Sequence, residues 1–374
     1  MEVRVPGRCP EPGPVTQPSA GIRDAGFAGT AGDHLAALTR GRIAMERRTF
    51  LKTALAATTS AMVMPGLARA QAGKPATIAF FVKNVTNPFW KACRIGAEKA
   101  GKSLGVTVET VAPTKPDNIE EQTRLVEDWI VKKPDAFVFV PVDYKALVPS
   151  IQKVNAAGIP IVNYNNRMTG VDLVSYIGSD DEVMQYELCK YLFKTMGGKG
   201  KIVHIDGVPA AITAQNRKKG FERAVKETPG IEVLASQPGN YRRLPAVQVF
   251  ENLMQRFPVI DAVVCANDDM AVGVAEALAS AGRGDKTRVT GIDGIPDATA
   301  AINAGKMFAT ADFSGHDQAH LAVTAAVRKL RNQPVPKEMI LPVVIVDKGN
   351  VKGFMKTPEE RDPPDWNKYA AGRA

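Results

Sequence analysis

Two kinds of apolar pattern alternate along this chain. Short runs of β-branched and aromatic residues are separated by stretches in which apolar positions recur every three or four residues. The first clear run is Thr-Ile-Ala-Phe-Phe-Val at 77–82. A run this continuously apolar reads as a strand buried on both faces, as in a parallel sheet. Similar runs stand at 106–111, 136–140, 160–164 and 174–177, with helical patterns between them at 88–104, 118–131 and 145–157. Gly101 and Gly105, Pro134, and Gly158-Ile159-Pro160 punctuate the ends. The pattern then restarts. Strands are expected at 201–205, 231–235, 261–265, 287–292 and 307–311, and helices at 213–227, 245–256, 270–280 and 298–303. A further helix near 318–330 leads to a last strand at 341–346. One strand–helix alternation used twice predicts an α/β protein with two doubly wound, Rossmann-like parallel sheets.

Ahead of this pattern the chain reads differently. Residues 1–44 carry Pro6, Pro12, Pro14 and Pro18 with scattered charge and no periodicity, and no domain is expected there. Met45 opens a new segment. Arg47-Arg48-Thr49-Phe50-Leu51-Lys52 is a charged start, 53–63 is a mildly apolar run, Pro65 breaks it, and Ala68-Arg69-Ala70 supplies small residues for cleavage. The segment 45–72 resembles a twin-arginine export signal, with Met45 as the expected start. Its apolar run is too short to span a bilayer.

Export changes the charge reading. The whole chain has 48 basic and 39 acidic residues. Residues 1–72 hold nine of the first and five of the second, so 39 and 34 remain, a net charge of about +5. That is an ordinary surface and no nucleic-acid footprint. Cys93, Cys189 and Cys265 are widely spaced, fit no metal or disulfide framework, and read as small core residues.

The candidate chemistry follows the strands. After the first comes Asn87-Pro88-Phe89-Trp90, in which Asn87 can cap a helix opened by Pro88. Phe89 and Trp90 then lie at the carboxyl end of a strand, where open α/β sheets bind ligands. An amide beside two aromatic faces suits a sugar ring, although the same pair could be core residues of the helix. Val140-Pro141-Val142-Asp143 follows the third strand, and Asn166-Arg167 precedes Ile177-Gly178-Ser179-Asp180. The second half has Gly220-Phe221, Ala266-Asn267-Asp268-Asp269-Met270-Ala271 and Gly291-Ile292-Asp293-Gly294. Structural readings stand beside the functional ones. Asn267 could cap the helix at Met270, Asp293 could shape its turn, and Arg167 could form a surface ion pair.

In this order, across roughly residues 76 to 350, the motifs resemble periplasmic sugar-binding proteins of the ribose-binding type, the receptors of ABC importers. The resemblance implies a type I binding-protein fold, with lobes at 76–179 plus 314–341 and at 180–313 plus 342–355, and a tail at 356–374. It implies a three-segment hinge near Ser179-Asp180, Phe313-Ser314 and Leu341-Pro342, and a ligand in the cleft between the lobes. Asn87, Asp143, Asn166, Arg167, Asn267 and Asp293 would bind hydroxyls. Phe89 and Trp90 would wall one side, with Tyr241 opposite, and Phe313 would also touch the ligand. The family's arginine after the first strand of the second lobe, counted back from Gly220-Phe221, falls on Gln215. The implied ligand is a neutral sugar or sugar alcohol. Asn166 stands where ribose-type members place an acid, Gln215 where they place an arginine, and Asp312-Phe313-Ser314 departs from their glutamine, so the expected ligand is not D-ribose. The implied partner is an ABC permease in the inner membrane, with a chemoreceptor as a further one, for a periplasmic monomer without cofactor or metal.

Competing functions fit less well. A sugar-responsive repressor of the same fold would need a helix-turn-helix before residue 77, and none is present in the sequence. An enzyme reading lacks a G-x-G-x-x-G after a strand, and Gly197-Gly198-Lys199-Gly200-Lys201 precedes a strand instead of following one. His316 and His320 have metal-type spacing without the glutamate of H-E-x-x-H, and read as two helix-surface histidines.

Overall fold

The computed structural model describes residues 74–371. The expected export signal at 45–72 and the extension before it lie outside the described residues. In the first half, β1 (Thr77–Phe81), α1 (Pro88–Leu104), β2 (Thr107–Val111), α2 (Ile119–Lys132), β3 (Ala136–Phe139), α3 (Val148–Ala156), β4 (Ile161–Tyr164) and β5 (Ser175–Gly178) follow the expected alternation. Next come α4 (Asp181–Thr195), β6 (Lys199–Asp206), α5 (Ile212–Lys226), β7 (Gly230–Pro238), α6 (Arg243–Arg256), β8 (Ala262–Cys265), α7 (Asp268–Ser280), β9 (Arg288–Ile292), α8 (Pro296–Asn303) and β10 (Ala309–Asp312). The chain ends with α9 (Gly315–Leu330), β11 (Glu338–Ile340), β12 (Val344–Asp347) and α10 (Trp366–Ala370).

These strands build two six-stranded sheets. One runs β11-β5-β4-β3-β1-β2 and the other β12-β10-β9-β8-β6-β7. Pairing is parallel throughout, except that β12 lies antiparallel to β10. Helices cover both faces, so the central strands carry apolar side chains on both. Phe80 and Phe81 are fully buried on opposite faces of β1. Phe81 meets Phe137 and Phe139 edge-on at 5.2 and 5.0 Å, and each such ring contributes roughly 2–3 kcal/mol by burial.

The chain passes between lobes three times: after Gly178 into α4, at Phe313-Ser314 between β10 and α9, and at Leu341-Pro342-Val343. The last crossing corrects the expected single strand at 341–346. Pro342 has no N–H for a ladder, so β11 ends in one sheet and β12 begins in the other.

α1 and α9 pack closely across the first lobe. A Cβ on Gly96 would lie 2.1 Å from the His316 carbonyl oxygen, so only glycine permits this approach. The same packing corrects the reading of the histidines. His316 and His320 are buried, because α9 is covered on nearly every side. Among the described residues no group of three or more His, Cys, Asp or Glu could hold a metal ion. Cys93, Cys189 and Cys265 are free and buried. No helix among the described residues is long and apolar enough to cross a membrane.

Candidate ligand-binding cleft

The carboxyl ends of both sheets face each other across a cavity. It has an empty volume of about 380 Å³, part of it open to solvent. The first lobe contributes Lys83, Asn84, Asn87, Phe89, Trp90, Asp117, Asn165 and Asn166. The second contributes Thr213, Arg217, Tyr241, Asn267 and Asp293, and the crossover supplies Phe313.

Two of these residues serve a helix and the cleft together. Asn87 Oδ1 accepts the Phe89 N–H at 2.9 Å and Asn267 Oδ1 accepts the Met270 N–H at 3.1 Å, each capping its helix. The amide group of each is thereby turned outward. Both Nδ2 groups donate to the Tyr241 carbonyl at 3.3 Å, one from each lobe. The lobes therefore touch directly across the cleft. Tyr241 and Asn240 both hold left-handed φ values, 57° and 56°, and Asp293 sits at φ 137°. Such conformations persist in non-glycine residues only where the surroundings hold them, commonly at functional sites. The capping and turn readings of Asn267 and Asp293 thus coexist with their position in the cleft.

Amides supply the remaining acceptors. Asn165 Nδ2 donates to Gln318 Oε1 at 3.4 Å and Asn166 Nδ2 to the Pro141 carbonyl at 3.2 Å. Their Oδ1 atoms have no protein donor among the described residues. Phe89 stacks on Phe313 with centroids 5.2 Å apart and meets Trp90 edge-on at 4.9 Å. Both are core residues of α1 and walls of the cleft at once.

Every charged side chain lining the cleft has an opposite partner. Lys83 pairs with Asp117 at 3.1 Å, and its ammonium lies 5.8 Å from the Tyr241 ring centre. Arg217 Nε donates to Asp181 at 2.8 Å, Nη1 donates to the Ala266 carbonyl at 2.6 Å, and Nη1 stands 3.9 Å from Asp293. Burial disfavours the Arg217 charge, yet Tyr241, Asp181 and Asp293 outweigh it and hold the guanidinium above its ordinary value. Burial also pushes the Asp293 carboxyl well up, against the pull of Arg217.

Asn87, Phe89, Trp90, Asn166, Tyr241, Asn267, Asp293 and Phe313 thus come together, whereas Asp143, Arg167 and Gln215 do not line the cleft. Asp143 Oδ1 accepts the N–H groups of Lys145 and Ala146 and shapes the turn into α3. Gln215 Nε2 donates to the Pro209 carbonyl. The arginine that lines the cleft is Arg217, two residues further on. Two residues turn a helix by about 200°, so Gln215 and Arg217 face opposite ways. The shared face of Thr213, Arg217 and Gly220-Phe221 carried the correct signal. Arg167 stacks 3.9 Å from the Tyr176 ring centre and pairs with Glu338, both side chains being 45% exposed. Exposed pairs contribute about 0–1 kcal/mol. Arg167→Ala is therefore expected to bind ligand within about twofold of wild type by calorimetry, and a tenfold loss would return Arg167 to the site. Lys83, Asn84, Asp117 and Asn165 were missed because loop approach, not sequence spacing, brings them in, whereas Thr213 stands one helical turn before Arg217 on α5.

The family model for the periplasmic binding protein domain matches residues 78–334. The D-allose-binding periplasmic protein of Escherichia coli K12 is 32% identical over 243 residues, 63% of this chain and 78% of that protein. The ribose import binding protein RbsB of the same organism is 32% identical over 256 residues, 68% of this chain and 85% of that protein. Among solved structures, an ABC transporter periplasmic solute-binding protein from Actinobacillus succinogenes 130z with bound D-allose is 32% identical, with a TM-score of 0.71. That alignment covers 74% of this chain and 99% of the other. The family match runs through both lobes and well over half of the sequence, and the chain belongs to the periplasmic binding protein family, in its ribose-type, sugar-binding branch.

Proposed function

We propose that the protein is the substrate-binding component of an ABC importer, taking a neutral sugar or sugar alcohol between its lobes and delivering it to an inner-membrane permease. The observation that carries the ligand class is the charge pairing in the cleft. The lining charges are Lys83, Arg217, Asp117 and Asp293, two of each sign. A phosphorylated or acidic sugar would need an unpaired cation, whereas hydroxyl groups can donate to Asp293, Asn165 and Asn166 and accept from Arg217 and Lys83. The relatives that bind D-allose and ribose support this class. Binding without chemistry is part of the same reading, as are export by the twin-arginine route on the strength of Arg47-Arg48, a monomeric state, and a chemoreceptor as second partner.

D-ribose remains disfavoured in this proposal, now on two grounds, the amide of Asn166 and the ring of Phe313. Gln215 in place of an arginine carries no weight against ribose in this reading, because Arg217 lines the cleft and Gln215 does not. Calorimetry of residues 73–374 against D-ribose, D-allose, myo-inositol, xylitol, a uronic acid and a sugar phosphate tests the reading. A neutral ligand other than ribose is expected to bind most tightly, and small-angle scattering should show a smaller radius of gyration when it is bound. Preference for the acidic probes would overturn the ligand class, and sub-micromolar ribose with weaker neutral rivals would overturn the exclusion of ribose.

A further inference from the structure

We propose that Arg361, on the segment after the last strand, is a positioning residue of the cleft. The segment is polar and proline-rich in sequence, and it invites no role there. In the structure it leaves the second lobe after a single turn at Val351–Phe354, passes the second crossover and packs on the first lobe. At the crossover, Arg361 Nη2 donates to Asp312 Oδ2 at 3.5 Å and Nη1 to Ser314 Oγ at 3.3 Å. Asp312 and Ser314 flank Phe313, the ring that walls the cleft and stacks on Phe89. One guanidinium therefore grips both sides of the turn that carries Phe313.

That turn needs holding. Ser314 adopts a left-handed φ of 49°, unfavourable for a residue with a side chain. Asp312 Oδ1 accepts the Ser314 N–H at 2.8 Å, and Ser314 Oγ accepts the Asp317 N–H at 3.2 Å, capping α9. Both side chains that fix the turn are the ones Arg361 holds. The Arg361 and Asp312 side chains are only 19% and 8% exposed, so water screens their pairing less than it would on the surface.

Arg361 is itself anchored. Lys99 Nζ, on α1, donates to the Glu359 and Arg361 carbonyls at 2.6 and 2.7 Å. Trp366 lies with its ring centre 4.8 Å from the Arg328 guanidinium. A segment that only covered apolar surface would account for Trp366 and Tyr369, but not for a charged fork laid over residues 312–314.

Hydrogen exchange of the ligand-free protein tests the proposal. In Arg361→Ala the Ser314 and Asp317 amides should exchange about tenfold faster, the equivalent of one lost charge-assisted hydrogen bond, while β1 and β6 keep wild-type protection. Arg361→Lys, which keeps the charge and loses the fork, should restore part of it. Should Arg361→Ala fail to fold, Lys99→Ala frees the segment without touching the crossover and should give the same local change. The effect on affinity rests on the sugar-binding reading. The tightest neutral sugar of the panel should bind about fivefold more weakly to Arg361→Ala, less than additively with Phe313→Leu. Unchanged exchange at Ser314 and Asp317, or a uniform rise over both lobes, overturns the proposal. Faster local exchange in a protein whose wild type binds no sugar would overturn the functional reading alone.

Discussion

Arg217→Met is expected to abolish high-affinity sugar binding, by at least about 100-fold, and to destabilise the fold by roughly 3–5 kcal/mol at neutral pH. Arg217 is only 3% exposed. Its removal leaves Asp181, which had accepted at 2.8 Å, and Asp293, at 3.9 Å, without their cation in the same buried space. Asp268, already pushed up to about 7 by burial, stands behind them as a further like charge. The pH dependence separates this account from simple loss of packing. Arg217 lowers the pKa of both Asp181 and Asp293 against a larger desolvation effect that raises them. Without it both rise further, and a carboxyl with a raised folded pKa favours the fold below its unfolded pKa and loses that advantage as pH rises. The stability deficit of the variant should therefore grow as pH rises above the already raised wild-type values of these two carboxyls, as denaturant titrations would show. Arg217→Lys keeps the charge without the fork, so it should recover stability more than affinity. A methionine variant that binds sugar like the wild type would remove Arg217 from the site.

Much of this was written locally in the sequence. The apolar run of β1, the cap and proline at Asn87-Pro88 and the repeated alternation each carry their own signal, so the two sheets and the Asn87, Asn267 and Asp293 positions were legible. What failed was anything that depends on which way a side chain turns or on chain segments far apart. Arg167 is adjacent to a cleft residue but points to Glu338 and Tyr176. Arg217 sits two residues from the counted position, and a helix converts that small error into the opposite face. Lys83 and Asp117 are 34 residues apart and meet only because loops after neighbouring strands converge. Pro342 splits one apolar run between two sheets. Arg361 finds Asp312 and Ser314 across almost 50 residues, and no local pattern encodes that encounter.

A second large effect is expected at acid pH, from a residue outside the cleft. His204, in the middle of β6, is fully buried and stacks on Phe221 with centroids 4.2 Å apart. Its Nδ1 lies 2.9 Å from Ser236 Oγ, and its Nε2 is buried with no partner. Burial first, and the charge of Lys218 second, push its pKa down to about 3 from an ordinary 6.5. A group whose pKa is depressed by folding contributes stability that is whole above the unfolded pKa and is lost as pH falls toward the folded one. At about pH 4 the unfolded chain gains the proton and the native ring does not, a cost of about 3 kcal/mol. The raised carboxyls of Asp181, Asp268, Asp293 and Asp312 work in the opposite sense, so the wild-type curve alone cannot isolate this group. His204→Phe can, because it removes one titration and leaves the others. A phenyl ring fills nearly the same space against Phe221, and Ser236, being exposed, can turn to water. Near pH 7.5 the variant should lie within about 1 kcal/mol of wild type, and near pH 4 it should be the more stable by about 3 kcal/mol relative to that difference. Urea titrations of both proteins at a series of pH values give the comparison directly. Parallel curves across this range would mean that His204 takes up its proton in the native strand, and that the unpartnered Nε2 has an acceptor within reach.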